Sequence, residues 1–131
     1  ERNSGPNELA KAALESVAFQ TRDLLEAMHA DWGSGVQTVI RVDGGMAASD
    51  YAMQFISDIC TAEVARPKNL ETTAMGAAWL AGFEAGICPD RATFAKKWRA
   101  KAHFTPNLAK NLADQRYEKW QKAVQATLGA I

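Results

Sequence analysis

The residues best suited to chemistry are Asp43-Gly44-Gly45-Met46, with Ser49 three positions further on. Two adjacent glycines remove side chains, so a ligand can reach the backbone. Amides at the start of a following helix can donate to an anion or a nucleotide. Ser49 adds a hydroxyl in that first turn, and Asp43 can orient the loop or meet a metal through water. On spacing alone a tight turn is the plainer explanation. The stretch matches neither the G-x-G-x-x-G fingerprint nor a Walker loop. A second stretch, Glu71-Thr72-Thr73-Ala74-Met75-Gly76-Ala77-Ala78, offers Thr72 or Thr73 as a helix cap followed by small residues. That composition suits close helix packing, and in a functional version it buttresses the glycine loop. His29 and His103 are far apart and form no triad, and His29 reads as a charge complement at a helix end. No H-E-x-x-H, EF-hand or zinc spacing is present, so no catalytic or metal-ligating residue is assigned. Lys96, Lys97, Arg99 and Lys101 alternate with Phe94, Trp98 and Phe104, a composition able to meet phosphates and bases. The plainer reading packs the aromatics inward and leaves the charges solvated.

Five helices and two strands must position these residues. Ala10, Leu14, Val17, Thr21, Leu24 and Met28 recur at helical steps, predicting a helix over residues 7–32 that Gly33-Ser34-Gly35 ends. Residues 36–42 form a short β-branched strand, apolar on both faces, as in a covered parallel sheet. The partners that should cover it are not in this sequence. Ser49 caps a helix over 49–60, with Asp50 complementing its dipole and Ala52, Phe55, Ile56 and Ile59 on one side. Residues 62–66 make a second strand closed by Pro67. A small-residue helix covers 71–85, and its interior Gly76 and Gly82 predict that something packs very close to it, since each glycine costs about 1 kcal/mol against alanine. Asp90 caps a short helix to Trp98, and a last helix runs from Pro106 or Asn107 to Leu128, with Trp120, Val124 and Leu128 on one face. Trp32, Trp79, Trp98 and Trp120 are expected in the core.

With 131 residues, 47% hydrophobic and 23% charged, the chain is neither a disordered tail nor a disulfide-dense miniprotein. No apolar run approaches the roughly eighteen residues a membrane helix needs. No secretory leader is visible, and Cys60 and Cys88 lack metal spacing, so both are expected as reduced, buried thiols of a cytoplasmic protein. The chain opens on Glu1 rather than Met, as expected of a piece of a longer polypeptide. Residues 1–89 hold 6 basic and 12 acidic residues and residues 90–131 hold 9 and 3, so an acidic part precedes a basic one within a net charge of zero. The basic part is read as a solvated helical surface rather than a nucleic-acid contact.

Ile40-Arg41-Val42-Asp43-Gly44-Gly45-Met46, Met53-Gln54-Phe55, Asp58-Ile59, Glu63-Val64, Arg66-Pro67 and the run from Glu71 to Gly82 resemble the C-terminal domain of the glycerol kinases. Upstream, the run from Ala13 to Asp23 is similar to the family's helix before that strand. Downstream, Phe104-Thr105-Pro106, Tyr117 and Trp120-Gln121-Lys122-Ala123-Val124 are similar to its closing helix. Order and spacing are kept over residues 8–124. The broader group is the sugar kinases, whose fold is the actin-like, ribonuclease-H-like ATPase.

The resemblance implies an α/β chain: residues 7–131 form a helix-rich, strand-poor C-terminal portion of the ATP-binding domain of a two-domain kinase, and residues 1–6 are a lead-in or added remnant. It implies transfer of the γ-phosphoryl of ATP, with Mg2+, to glycerol, giving glycerol 3-phosphate. It further implies a homo-oligomer with no nucleic-acid or membrane partner. Gly44, Gly45, Met46 and Ser49 become the nucleotide-binding residues, with Gly45 the glycine against which the nucleotide packs. Ser49 stands where the family usually carries an asparagine that touches the nucleotide. Serine is shorter, which puts that side-chain contact, not the backbone cradle, in question. The family's catalytic aspartate, polyol-binding residues and phosphate loops lie upstream of Glu8, so the isolated chain is expected to be inactive and to need the N-terminal part of the same enzyme. Two alternatives stand beside this reading: a kinase of a pentulose or tetritol, and a non-catalytic nucleotide-binding module.

Overall fold

The computed structural model describes residues 4–32 and 38–130. Pro6 opens α1 (Pro6–Trp32), a position where its missing N–H is no loss. The chain continues through β1 (Val39–Arg41), a 3-10 turn (Gly45–Ala48), α2 (Asp50–Cys60), β2 (Glu63–Pro67), α3 (Thr72–Glu84), α4 (Arg91–Ala95), β3 (Ala100–Phe104) and α5 (Lys110–Leu128). Arg2, the Gly33-Ser34-Gly35 stop and the predicted strand start at Val36 lie outside the described residues. No described helix is long and apolar enough to cross a membrane.

β1, α2 and β2 form a parallel β-α-β unit, with Ile40 opposite Val64 and Arg41 opposite Ala65. β3 returns antiparallel along β2, giving the order β1-β2-β3. Sequence patterning predicts two strands, and β3 is the third. Its burial alternates, Ala100, Ala102 and Phe104 inward against exposed Lys101 and His103, a period-2 signal carried by residues of modest strand preference. The basic-aromatic run thus resolves into the end of α4, a turn and a strand, and the helix predicted to Trp98 stops at Ala95. Phe94 stacks on Trp79 at 5.0 Å, Trp98 lies beneath the Arg41 guanidinium at 4.5 Å, and Phe104 packs on the core.

The core joins Ala52, Met53, Phe55, Ile56 and Ile59 of α2 to Ala18 of α1, Ala47 of the 3-10 turn and Val64 of β2. All four α2 residues assigned to the buried side are there. α1 departs from its predicted face at both ends, with Ala10 exposed at the first. Leu14, Val17 and Thr21 are half-buried around buried Ala18, but Leu24 and Met28 are exposed. Arg22 takes the inward position instead. Its Nη1 donates to Ile59 O at the end of α2, and its Nη2 donates to Asp114 Oδ1 of α5 at 2.6 Å. Asp23 beside it accepts from Tyr117 Oη and Trp120 Nε1. These bonds tie the acidic first part to the basic last part.

α5 begins at Lys110, later than predicted, because α2 side chains hold the preceding segment extended. Asp58 Oδ1 accepts from the amides of Asn107 and Leu108, and Gln54 Nε2 donates to Thr105 O. The tryptophans are not core as expected. Trp32 is 60% exposed, and Trp79, Trp98 and Trp120 are half-buried, with Trp79 Nε1 on Pro89 O, Trp98 under Arg41 and Trp120 stacked on Phe19. Cys60 and Cys88 are free and half-buried rather than buried. Burial pushes the Cys60 thiol up to about 12.

Candidate functional site

The glycine loop sits beyond the carboxyl end of β1, where open parallel sheets present ligand sites. The Val42 amide still donates to Ala65 O, and the chain then leaves the sheet. Gly44 has φ 78° and ψ 178°, a conformation that only glycine adopts readily. That requirement explains one glycine of the pair on backbone grounds. A Cβ added at Gly44 or Gly45 would meet no atom of the described residues within 4 Å, so the loop's outer surface is open among them.

The entry of the loop is anchored twice. The Gly44 amide donates to Leu70 O at 3.0 Å, and the Thr72 hydroxyl donates to Asp43 Oδ2. Thr72 therefore serves the loop rather than capping α3, whose N-cap is Glu71 with no side-chain bond. This contact is the one that the functional version of the second stretch calls for. Ala47, almost fully buried, seats the 3-10 turn on the core, and its amide donates to Gly44 O. Gly45 and Met46 lie exposed on the turn's outer side. Ser49 is the N-cap of α2: its Oγ accepts from the Ala52 amide at 3.3 Å. Its oxygen is thus turned toward its own helix. Gly44, Gly45, Met46 and Ser49, assigned from sequence, fall within one continuous turn.

Arg66 is the neighbour that sequence reasoning left without a role. From β2, its Nη1 faces Ala47 O at 3.0 Å, Ala48 O at 3.3 Å and Asp50 Oδ1 at 2.7 Å. Its guanidinium lies 5.2 Å from the Phe104 ring centre. Asp50, expected to complement the helix dipole, also holds this arginine. The detectable signal was an arginine before the proline that closes a strand.

The interior glycines of α3 differ. A Cβ on Gly82 would come within 2.5 Å of Cys88 Sγ, whose segment folds back on the helix, so the predicted close approach holds there. Gly76 meets open space among the described residues, and the close neighbour predicted for it is not found. No described residue of α3 is buried.

The model of the FGGY family of carbohydrate kinases, C-terminal domain, matches residues 1–85. The chain belongs to this family. It is 62% identical over 128 residues to the glycerol kinase of Roseobacter denitrificans, covering 97% of this chain and 26% of that protein. Identity to the glycerol kinase of Rhizobium meliloti is 53% over 128 residues, again 97% and 26%. Among solved structures, Plasmodium falciparum glycerol kinase with ADP superposes with a TM-score of 0.78 at 32% identity, covering 96% of this chain and 25% of that one. Xylulose kinase from Rhodospirillum rubrum gives 0.71 at 27% identity, covering 99% and 26%. The FGGY chain therefore spans about a quarter of the length of the curated relatives it matches. The sequence resemblance and the expected α/β, actin-like ATPase fold are borne out.

Proposed function

We propose that this FGGY chain supplies part of the nucleotide site of an ATP-dependent glycerol kinase. Gly44 and Gly45 present bare backbone to the nucleotide, Met46 flanks them, and Ser49 fixes the turn to α2 while its hydroxyl proton remains available to a ligand. The observation that carries this is the open, glycine-only turn at Gly44 beyond β1, in a chain 62% identical to a glycerol kinase. In the whole enzyme the γ-phosphoryl of ATP passes to a glycerol hydroxyl, whose proton leaves to a base, giving ADP and glycerol 3-phosphate. No residue of this chain is assigned to that proton transfer.

Phosphoryl transfer needs positioning and charge neutralisation, which Mg2+ supplies in such kinases. Its ligands are not assigned here: among the described residues no three His, Cys, Asp or Glu side chains converge. The rest of the enzyme, about three-quarters of its relatives' length, brings the metal and polyol groups and covers the exposed α3 face. We place the enzyme in the cytoplasm as a homo-oligomer.

The test is ADP release by the full-length polypeptide. ATP-dependent turnover of glycerol is expected, with none from residues 1–131 alone. Turnover by the isolated chain overturns the division of labour. The xylulose kinase likeness favours one competitor, so a pentulose and a tetritol belong in the same assay. A higher kcat/KM for either replaces glycerol as the substrate. ATP binding without turnover of any polyol identifies a nucleotide-binding module. Gly45→Trp should abolish ATP binding by filling the open surface; unchanged affinity removes Gly45 from the site.

A further inference from the structure

We propose that Arg66 is a positioning residue that holds the glycine turn in its nucleotide-binding shape, an inference that rests on the nucleotide reading above. A 3-10 turn of four residues has poor internal hydrogen-bond geometry and does not hold itself. Its entry is fixed by the Gly44 amide on Leu70 O. Its exit presents two carbonyls, Ala47 O and Ala48 O, beside the Asp50 carboxylate. These three oxygens carry negative charge or dipole and repel one another without a cation between them. Arg66 supplies that cation from the rigid strand β2, with its side chain only 11% exposed. Its Nε is buried with no hydrogen-bond partner among the described residues, so part of the guanidinium has been desolvated to reach the turn, against the Phe104 ring. All three contacts fall on one nitrogen, Nη1, so a single cationic donor group gathers the three oxygens while the rest of the guanidinium is packed behind it.

Anchored at entry and exit, the exposed backbone of Gly45 and Met46 between them is held in one place. Loss of the exit anchor lets the turn swing about Gly44, where the backbone resists least. The nucleotide then meets a loop that must first be ordered, so ATP affinity falls and polyol affinity does not. Lys68 and Lys101 line a hollow of about 130 Å³ together with Ala48 and Arg66, and the side chain of neither lysine is bonded to the turn. They separate a specific clamp from a general positive field.

The experiment is steady-state kinetics of the full-length kinase. Arg66→Ala is expected to raise KM for ATP about tenfold while KM for glycerol stays within about twofold. Added guanidinium should lower the ATP KM of that variant, and sodium chloride at equal ionic strength should not. Lys101→Ala should leave both values in place. An unchanged ATP KM, a parallel rise in both KM values, or an equal effect from Lys101→Ala overturns the assignment. Should Arg66→Ala fail to accumulate folded, Arg66→Met, which keeps the stem and removes the cation, decides: a rise in ATP KM of about threefold or more at constant glycerol KM supports the clamp, and no rise overturns it. Absence of ATP turnover in the unaltered enzyme overturns the nucleotide reading itself, whereas normal turnover with an insensitive Arg66 overturns only the clamp.

Discussion

Two regions of this chain share a backbone but not a condition. In the first, α1, α2, β2 and α5 close on one another around Ile59 and Val64, both essentially without exposed surface. Their polar side chains are also engaged across elements, as Arg22, Asp23, Asp58 and Ser57 show. In the second, α3 and α4 bury no described residue, and Met75, Leu80, Phe83 and Ile87 face outward. α3 is the more apolar helix by composition, yet it is the less buried. Apolar content creates a demand for burial, and only a partner surface meets it. The glycine turn lies on the seam, seated on the first region through Ala47 and tied to the second through Leu70 and Thr72.

The comparison can be broken most sharply at its centre. Ile59→Ala should lower unfolding free energy by about 2–5 kcal/mol, as a fully buried aliphatic truncation does. A loss under about 1 kcal/mol in chemical denaturation would show that the first region is not the stable one. Arg22→Met keeps the aliphatic stem but removes the bonds to Ile59 O and Asp114. It should cost about 1.5–3 kcal/mol in the same measurement, the range for hydrogen bonds to charged groups.

A smaller effect carries a pH signature. Hydrogen bonds from Lys110 and then Arg22 hold the Asp114 carboxyl below its ordinary value. A carboxyl whose value is depressed in the folded state stabilises that state above its unfolded pKa and ceases to do so as pH falls through the folded one. Asp114→Asn should therefore lower Tm at pH 7, with the gap to the unaltered chain closing below about pH 4. A gap that stays constant with pH would mean that the charge contributes nothing. The smallest effect sharpens the contrast: Leu80→Ala, at a position 55% exposed, should change the stability of the 131-residue chain by no more than about 0.5 kcal/mol. The same substitution in the full-length polypeptide should cost more under the proposed covering of the α3 face by the rest of the enzyme. Equal small effects in both would leave α3 a solvent-facing helix.

Helix α2 was legible almost to the residue. Ser49, Asp50 and the Phe55-Ile56-Ile59 spacing are local signals, and the tertiary structure uses them as they stand. The glycine turn was legible as a turn, and backbone sterics at Gly44 then explain why glycine is needed there. Strand β3 was not legible, because Ala100, Lys101 and Ala102 have little strand preference and pair only because the edge of β2 is offered to them. The start of α5 was misplaced for a related reason: Asp58, about fifty residues earlier, takes the amides that would have begun the helix.

The sequence by itself determined the local and periodic properties: the caps, the apolar stripe of α2, the bare Gly44-Gly45 backbone and a pattern of motifs specific enough to resemble the C-terminal domain of the glycerol kinases. Those follow from chemistry within a few residues, and from order along the chain. Only the tertiary structure decided which apolar faces are covered, which cation meets which carboxylate, and that Arg66 closes on the turn from a strand sixteen residues beyond Asp50. Such pairings depend on distances in space that separation along the chain does not encode.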